Sequence, residues 1–497
     1  DVTFTNYDLA RARETKKDGD YEYVLNTDNA TDRAKKVDVI GYRFANNHAT
    51  YDVSLGTNPK AWGGRTKVGN KVENNSLAVT GGAVTAAAYG GVAENFEGDG
   101  HGNYKPTGDA ANNKLSLEGG TVADGYGADV RTKAGNATGN KVNISGGSVT
   151  GTVHGGYLSH TSATGSATGN TVTITGGSMT DVYGGFTNGT GATTGNTVNL
   201  GDGEHSLAAG TNIAGTVFGG NKADASGNTL NVKTNAQAGN IKNFESIKLT
   251  LKSSAFNPAN ALLRLTGGAQ TTELDWSKLE VDTTALAAAP KSYEAYRVKL
   301  MENANGISFM KGATNTYASL GAKERTQGDL EYVIDTDNHT ANAANSVDLA
   351  YQFQNKQNAA FTAADGTKAE AWGGRTKVGN KVENNKLTVS GGTLTQAAYG
   401  GLAENFKRDD HGNLKTTGDA EKNSLILNAG ANTLNAYGAQ VRTKSGSATD
   451  NTATLNAGTV NGSLYGASLS AAGATGNATK NHVEIKGGSV TGSVYGS

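Results

Sequence analysis

Few residues in this chain are spaced for chemistry. One close carboxylate pair is Asp335 and Asp337, in the segment DTDN. Two acids that near one another can divide general-acid and general-base roles. An earlier copy of the segment reads NTDN, with Asn26 in place of the first acid and Asp28 as the second. An amide can replace a carboxylate in an Asx turn, but not as a proton carrier. Both segments therefore read as turns. Histidine is scarce, with 8 in the chain, and none forms a ligand-spaced pair. No GxSxG, HExxH or P-loop segment is present. Cysteine is absent, which excludes disulfides, thiolate-bound zinc and cysteine nucleophiles. No catalytic residue, metal or cofactor is expected.

Three groups of residues are candidates for binding instead. The first lies in a longer-than-usual connection, 94–109, with Glu94, Phe96, Asp99, His101 and Tyr104 as contact residues. Its second copy, 404–419, carries Glu404, Phe406, Asp409 and His411. Loops on a rigid scaffold commonly carry binding. The stretch EGDGHGN is loosely like a calcium loop, but it lacks the DxDxDG spacing and the distal Glu, and its copy reads KRDDHGN. A surface loop is expected there, not a metal site. The second group is a recurring aromatic position, which includes Trp62, Tyr89, Tyr126, Trp372 and Tyr399. Strict alternation points these rings outward, where they stack on one another or on sugar rings. The third is charge: Glu94 falls between Arg65 and Arg131 in successive repeats, as Glu404 does between Arg375 and Arg442. An inter-repeat ion-pair ladder is expected, worth little if exposed, about 0 to 1 kcal/mol per pair.

The elements that must position these residues are visible as a repeat. GNKVNISGGSVTGTVHGG is followed by GNTVTITGGSMTDVYGG, and the aromatic position recurs mostly at steps near 28 residues. A fixed period of this size signals a stacked array. Within a unit Val142 and Ile144 alternate with polar residues, then Val149 and Val153 follow. Period two with β-branched residues means short strands. Gly at 70 of 497 residues supplies the corners, where positive φ is expected of the Gly pairs. The recurring Asn70, Asn140, Asn170, Asn196, Asn228 and Asn380 are expected to hydrogen-bond from one corner to the next. The fold class is therefore all-β, an elongated parallel β-helix (β-solenoid). Roughly 17 coils spaced about 4.8 Å apart would make a rod of the order of 80 Å.

A coarser repeat overlies the fine one. AWGGRTKVGNKVENN at Ala61–Asn75 returns unchanged at Ala371–Asn385, 310 residues later. The expected organisation is a first module at 1–239 with regular coils at about 62–230, a less regular β continuation at 240–310, and a truncated second copy at 311–497. Each coil can close its own core, so a monomer is expected.

Net charge is −1, from 44 basic and 45 acidic residues, which leaves no footprint for nucleic acid. No stretch approaches the apolar length of a membrane span, about 18 residues or more. Starting at DVTFTNYDLA and ending at SVTGSVYGS, the chain reads as a piece of a longer polypeptide.

The GNxVxIxGGxVxGxVYGG repeat, strongest over 62–220 and 372–496, resembles the passenger regions of Gram-negative type V autotransporters, in particular their adhesins. The resemblance implies a cell-surface or secreted β-helix, anchored in the outer membrane through a C-terminal barrel absent from these residues. It implies a stalk displaying loops to a host or bacterial surface glycan or protein. No catalytic residues carry over. A polysaccharide-active β-helix enzyme and a purely structural spacer are the alternatives.

Overall fold

The computed structural model describes residues 14–19, 21–27, 37–43, 48–95, 107–222, 226–252, 255, 257, 259–267, 272–275, 278–284, 296–311, 315–316, 323–327, 330–336, 343–353, 358–405 and 417–497. The protein is all-β. Among the described residues there is no α-helix; Val53–Leu55 and Ala363–Asp365 are short 3-10 turns. The chain divides into two compact units, Asp1–Leu286 with Met301–Ile307, and Ala287–Leu300 with Ser308–Ser497.

In the first unit, short strands from successive repeats, His48–Tyr51 through Lys114–Leu117 and Thr171–Ile174 to Leu279–Asp282, form a parallel sheet of 9 strands. The period-two pattern decides its faces. Leu77, Leu115, Val142, Val172, Val198, Leu230 and Ile247 lie in register, and so do Val79, Leu117, Ile144, Ile174, Leu200, Val232 and Leu249. None of these side chains is more than 5% exposed, so both rows are core. A second parallel sheet runs through Thr57–Thr66, Ala83–Ala93, Thr121–Val130, Val153–Leu158, Val182–Thr187 and Asn212–Gly220. A third has 5 two-residue strands whose buried positions are small, with Ala110, Ala137 and Ala167 in line. The second unit repeats the three-sheet plan, with Leu387, Leu425 and Ala453 in one buried row.

Parallel pairing continues into the less regular stretch. Ser246–Thr250 pairs with Leu279–Asp282, and Leu263–Leu265 with Met301–Asn303. What the repeat pattern did not announce is an antiparallel three-stranded meander in each unit. Glu14–Asp18, Tyr21–Thr27 and Val37–Arg43 form the first. Lys323–Gln327, Leu330–Thr336 and Ala343–Phe353 form the second. Asn26 and Asp335 thus lie in strands and not in turns, because their backbones pair with Asp38 and Asp348. Asp28 and Asp337 fall outside the described residues.

An asparagine ladder ties the repeats together, and its membership corrects the sequence reading. Its rungs in the first unit are Asn75, Asn113, Asn140, Asn170, Asn196 and Asn228, linked over 38, 27, 30, 26 and 32 residues. Each Nδ2 donates to the next Oδ1 at 3.0–3.2 Å. Each such Oδ1 also accepts the backbone N–H of the preceding rung, and Nδ2 donates again to a backbone carbonyl, as Asn170 does to Ala137 at 3.0 Å. In Asn113, Asn140, Asn170 and Asn196 all donors and acceptors of the amide are used, so these groups bear complete burial. The first unit's ladder ends where the Asn228 N–H donates to Glu245. Asn385, Asn423, Asn451 and Asn481 form the second. Asn70 and Asn380 belong to neither. Each comes five residues before the true rung and donates to a buried carboxylate.

The glycines divide by cause. In the SGG and TGG turns the second Gly has positive φ, as at Gly147 (71°) and Gly177 (81°), which suits a residue without Cβ. The Gly pair after the aromatic position is not in that region. There the need is close approach: a Cβ on Gly63 would sit 2.6 Å from the carbonyl oxygen of Gly90, and one on Gly90 2.5 Å from that of Gly127.

Asn170→Ala should cost about 2–4 kcal/mol, because it strands two donors on Asn140 and an acceptor on Asn196. Asn456→Ala, which removes an exposed amide bonded to Asn428, should change stability by no more than about 0.5 kcal/mol. Urea unfolding of the two variants checks the contrast.

Candidate functional site

The aromatic position and the charges beside it come together on the outer side of the second sheet. Trp62 pairs in register with Tyr89, and Tyr89 with Tyr126. Tyr126, His154, Tyr183 and Phe218 continue the row. From Tyr89 onward the ring centroids are 4.5–5.1 Å apart and the planes within 13° of parallel. Tyr399, Tyr437, Tyr465 and Tyr495 form the second ladder, with Trp372 in register before Tyr399. The spacing follows from the strand spacing, about 4.8 Å, which is also a good stacking distance.

The rings point away from the aliphatic core, as alternation requires, yet most are not on the surface. Tyr89, Tyr126, Trp372 and Tyr399 are only 2–9% exposed, and Trp62 is half-buried. Their flat faces are occupied by one another and by guanidinium groups. Arg65 lies 4.9 Å from the Trp62 ring, Arg375 4.5 Å from Trp372, Arg131 5.5 Å from Tyr89 and Arg442 5.6 Å from Tyr399. Tyr157 and Phe186 cover His154 from a second row. Of the two expected roles, stacking on one another is the one that Tyr89, Tyr126, Trp372 and Tyr399 have the burial for; Trp62 keeps part of its surface exposed. Burial pushes the Tyr89 hydroxyl up to about 12.

The expected ion-pair ladder is present. Glu94 accepts from Arg65 and, at 3.1 Å, from Arg131. Glu404 accepts from Arg375 at 2.7 Å and from Arg442 at 3.1 Å. Ala93 pairs with Thr66 and Val130, so Glu94 follows in line with Lys67 and Arg131, while Arg65 reaches over from two residues earlier. The pairs are not exposed as anticipated: both Glu side chains are 11% accessible and Arg375 is 9%. Burial alone would raise the Glu404 carboxyl, but Arg375, Lys377 and Arg442 outweigh it and hold it low. Arg131 also bonds the buried Asp129 at 2.7 Å and the Tyr89 hydroxyl at 3.0 Å.

A further buried carboxylate in each unit escaped sequence reasoning. Glu22, on the first meander, accepts from the Thr66 hydroxyl, the Lys67 N–H and Asn70. Glu331 does the same with Thr376, Lys377 and Asn380. The recurrence of GDxEYV with RTKVGN was the available signal. Burial pushes the Glu331 carboxyl up, against the three hydrogen bonds. These contacts fasten each meander to the adjoining repeat of its own unit.

Phe96, Asp99, His101, Tyr104, Phe406, Asp409 and His411 lie outside the described residues. Their flanks are informative. Ala93 stays paired with Val130, and Ala110 with both Val72 and Ala137. The second unit keeps Ala403 on Val441 and Ala420 on Val382 and Ala448. The long connection is thus accommodated without a shift in the pairing on either side of it. Among the described residues no group of His, Asp and Glu could hold a metal ion. No family model, no curated protein and no solved structure matches this chain.

His154 breaks the run of phenols and gives the ladder a pH response. It is 4% exposed, and its Nε2 lies 2.9 Å from the Thr152 hydroxyl. That hydroxyl donates to Asp124, so Nε2 carries the proton and Nδ1 has no partner. Burial holds the imidazole down to about 3. The unfolded chain binds a proton near the ordinary value, about 6.5, so the neutral ring's contribution is full above that pH and is lost as pH falls toward about 3. His154→Tyr, the residue of the neighbouring rungs, should remove up to about 1.4 kcal/mol of stability loss per pH unit in this window. Melting temperatures at neutral and mildly acidic pH measure it. Separately, Glu404→Ala should cost about 1–3 kcal/mol by stranding two arginines, against less than about 1 kcal/mol for Glu73→Ala at the exposed Lys71 pair. Urea midpoints distinguish them.

Proposed function

We propose that this chain is part of a cell-surface adhesin of the autotransporter-passenger kind. In this reading it is a parallel β-solenoid with coils of about 28 residues whose rigid stalk holds connecting loops out to a ligand. The observation that carries the reading is the unbroken register around 94–109 and 404–419. Both copies carry extra chain at the same place, between the end of the long strand and the two-residue strand that follows. A scaffold that keeps its pairing around an insertion can vary that insertion without refolding. Two copies of the loop on one chain also permit binding by several weak contacts at once, which raises avidity without a tight single site.

Further support comes from the interior. Aromatic, amide and ion-pair ladders occupy many polar and ring-bearing side chains of the regular repeats, which leaves the inserted segments as the candidates for contact in this reading. The ligand in this reading is a glycan or protein on a host or bacterial surface. The chain needs no cofactor, is no enzyme, and reaches the outer membrane through a barrel beyond these residues.

Removing 96–106 and 406–416 while keeping Glu94 and Glu404 tests the proposal. The expected result is an unchanged strand-type circular dichroism spectrum and melting temperature, with attachment to host or bacterial cells reduced at least about tenfold. Undiminished attachment would assign the loops no role and favour a spacer.

A further inference from the structure

Asparagine is followed directly by glycine at three places, Asn188, Asn305 and Asn461. In such a pair the glycine nitrogen can attack the side-chain amide before it, because no Cβ stands in the way and the backbone turns freely. The chemistry available to the three pairs is the same. Their surroundings differ.

Asn461 and Gly462 form an exposed corner of the second unit, between the strands Thr459–Val460 and Leu464–Leu469. Matching corners in other repeats read Thr150 with Gly151, Thr180 with Asp181 and Thr491 with Gly492, so none of these carries an amide at the first position. The backbone on either side is held. The Asn461 N–H donates to the Thr433 carbonyl at 2.8 Å, and the Ser463 N–H to Asn435 Oδ1 at 3.0 Å. The Gly462 N–H between them makes no hydrogen bond among the described residues. In the other repeats the matching group is engaged: Gly151 donates to Ala123 at 2.7 Å and Gly492 to Gly462 at 2.9 Å. The exposed Asn461 amide makes one bond, to Asn432 Oδ1 at 2.6 Å, which water can replace.

Asn188 is the contrast. Its amide donates twice, to the Tyr157 hydroxyl at 2.9 Å and the Ser159 carbonyl at 3.1 Å. The N–H of the buried Gly189 is occupied by the Thr187 hydroxyl at 3.1 Å. Asn305 lies within the strand Tyr296–Lys311, and its amide donates to the Gly267 carbonyl at 2.8 Å.

We infer that Asn461 is a site of spontaneous covalent modification, converting to aspartate and isoaspartate with water as the only co-reactant. The Gly462 nitrogen gives its proton to solvent and bonds to Asn461 Cγ. The Cγ–Nδ2 bond breaks, and the amide nitrogen leaves as ammonia. The product is a five-membered cyclic imide. Water then adds to one of the two imide carbonyls and opens the ring. Opening at Cγ gives aspartate; opening at the main-chain carbonyl gives isoaspartate, in which the chain runs through the former side chain. Either product carries a negative charge where the amide was neutral. Isoaspartate also lengthens the main chain by a methylene and displaces the carbonyl that accepts from the Thr491 hydroxyl of the next repeat. One corner of the stack is thereby loosened. The inference is independent of the adhesin reading.

The test incubates the full chain at mildly alkaline pH in water enriched in heavy oxygen, then digests it. Mass spectrometry with fragmentation that separates aspartate from isoaspartate follows each of the three pairs. In the folded chain Asn461 should convert at least about tenfold faster than Asn188 or Asn305, whose hydrogen bonds must open first. Both products should carry heavy oxygen, and the rate should rise with pH, as loss of the Gly462 proton requires. In urea the three pairs should convert at similar rates. Asn461→Thr, the residue of the neighbouring repeats, should abolish conversion in its peptide and leave the melting temperature unchanged. The proposal is overturned if the folded chain keeps Asn461 intact while urea converts it, or if Asn188 or Asn305 converts as fast as Asn461 in the folded chain.

Discussion

Parallel, in-register pairing between successive repeats is the constraint from which the rest follows. Each side chain sits about 4.8 Å from its counterpart in the repeat before and after. A residue type is therefore admissible only if it tolerates a copy of itself at that distance. Valine and isoleucine do so by packing, and amides by donating and accepting along one line. Aromatic rings stack face to face, and glycine allows one strand's carbonyl to approach the next strand's Cα. Like charges tolerate it less well. Opposite charges fall side by side in the pairs Glu94 and Arg131 and Lys248 and Glu280, and where Glu383 lies in register with Glu421, Lys381 bonds both; Lys114 and Lys141 are in register without alternation. The repeat's composition is thus a set of residues that can be stacked.

The same rule sorts interior from exterior. The aliphatic rows need only be apolar, and their members vary freely between Val, Leu and Ile, as in Val79, Leu117 and Ile144. The asparagine rows do not vary, since a rung must both donate and accept, and no other uncharged side chain of that length does both. The aromatic rows lie between: Tyr, Phe, His and Trp all stack, and His154 fits although its Nδ1 is left without a partner.

The period-two alternation made the strands legible, and the recurring GG and GN made the turns legible. The Arg65, Glu94 and Arg131 ladder could also be read, because opposite charges one repeat length apart fall side by side when the repeats stack. Three things could not. Asn75 and Asn70 both follow a Gly-rich corner, and only the pairing register shows which amide faces its copy. The burial of Tyr89 and Trp372 depends on packing by rings and arginines from neighbouring strands, so alternation alone could show that a ring points outward but not whether it is covered. The buried Glu22 and Glu331 bond residues 44 and 45 positions away, a separation no local pattern records.

Strand content, the two scales of repetition and the identity of the core rows were thus already written in the order of residues, because they depend on local alternation and self-similarity. Folding in three dimensions settled the rest: which polar and aromatic side chains are buried against a partner. That depends on whether a neighbouring strand brings a partner within hydrogen-bonding or stacking distance, which is a property of register in space, not of order along the chain.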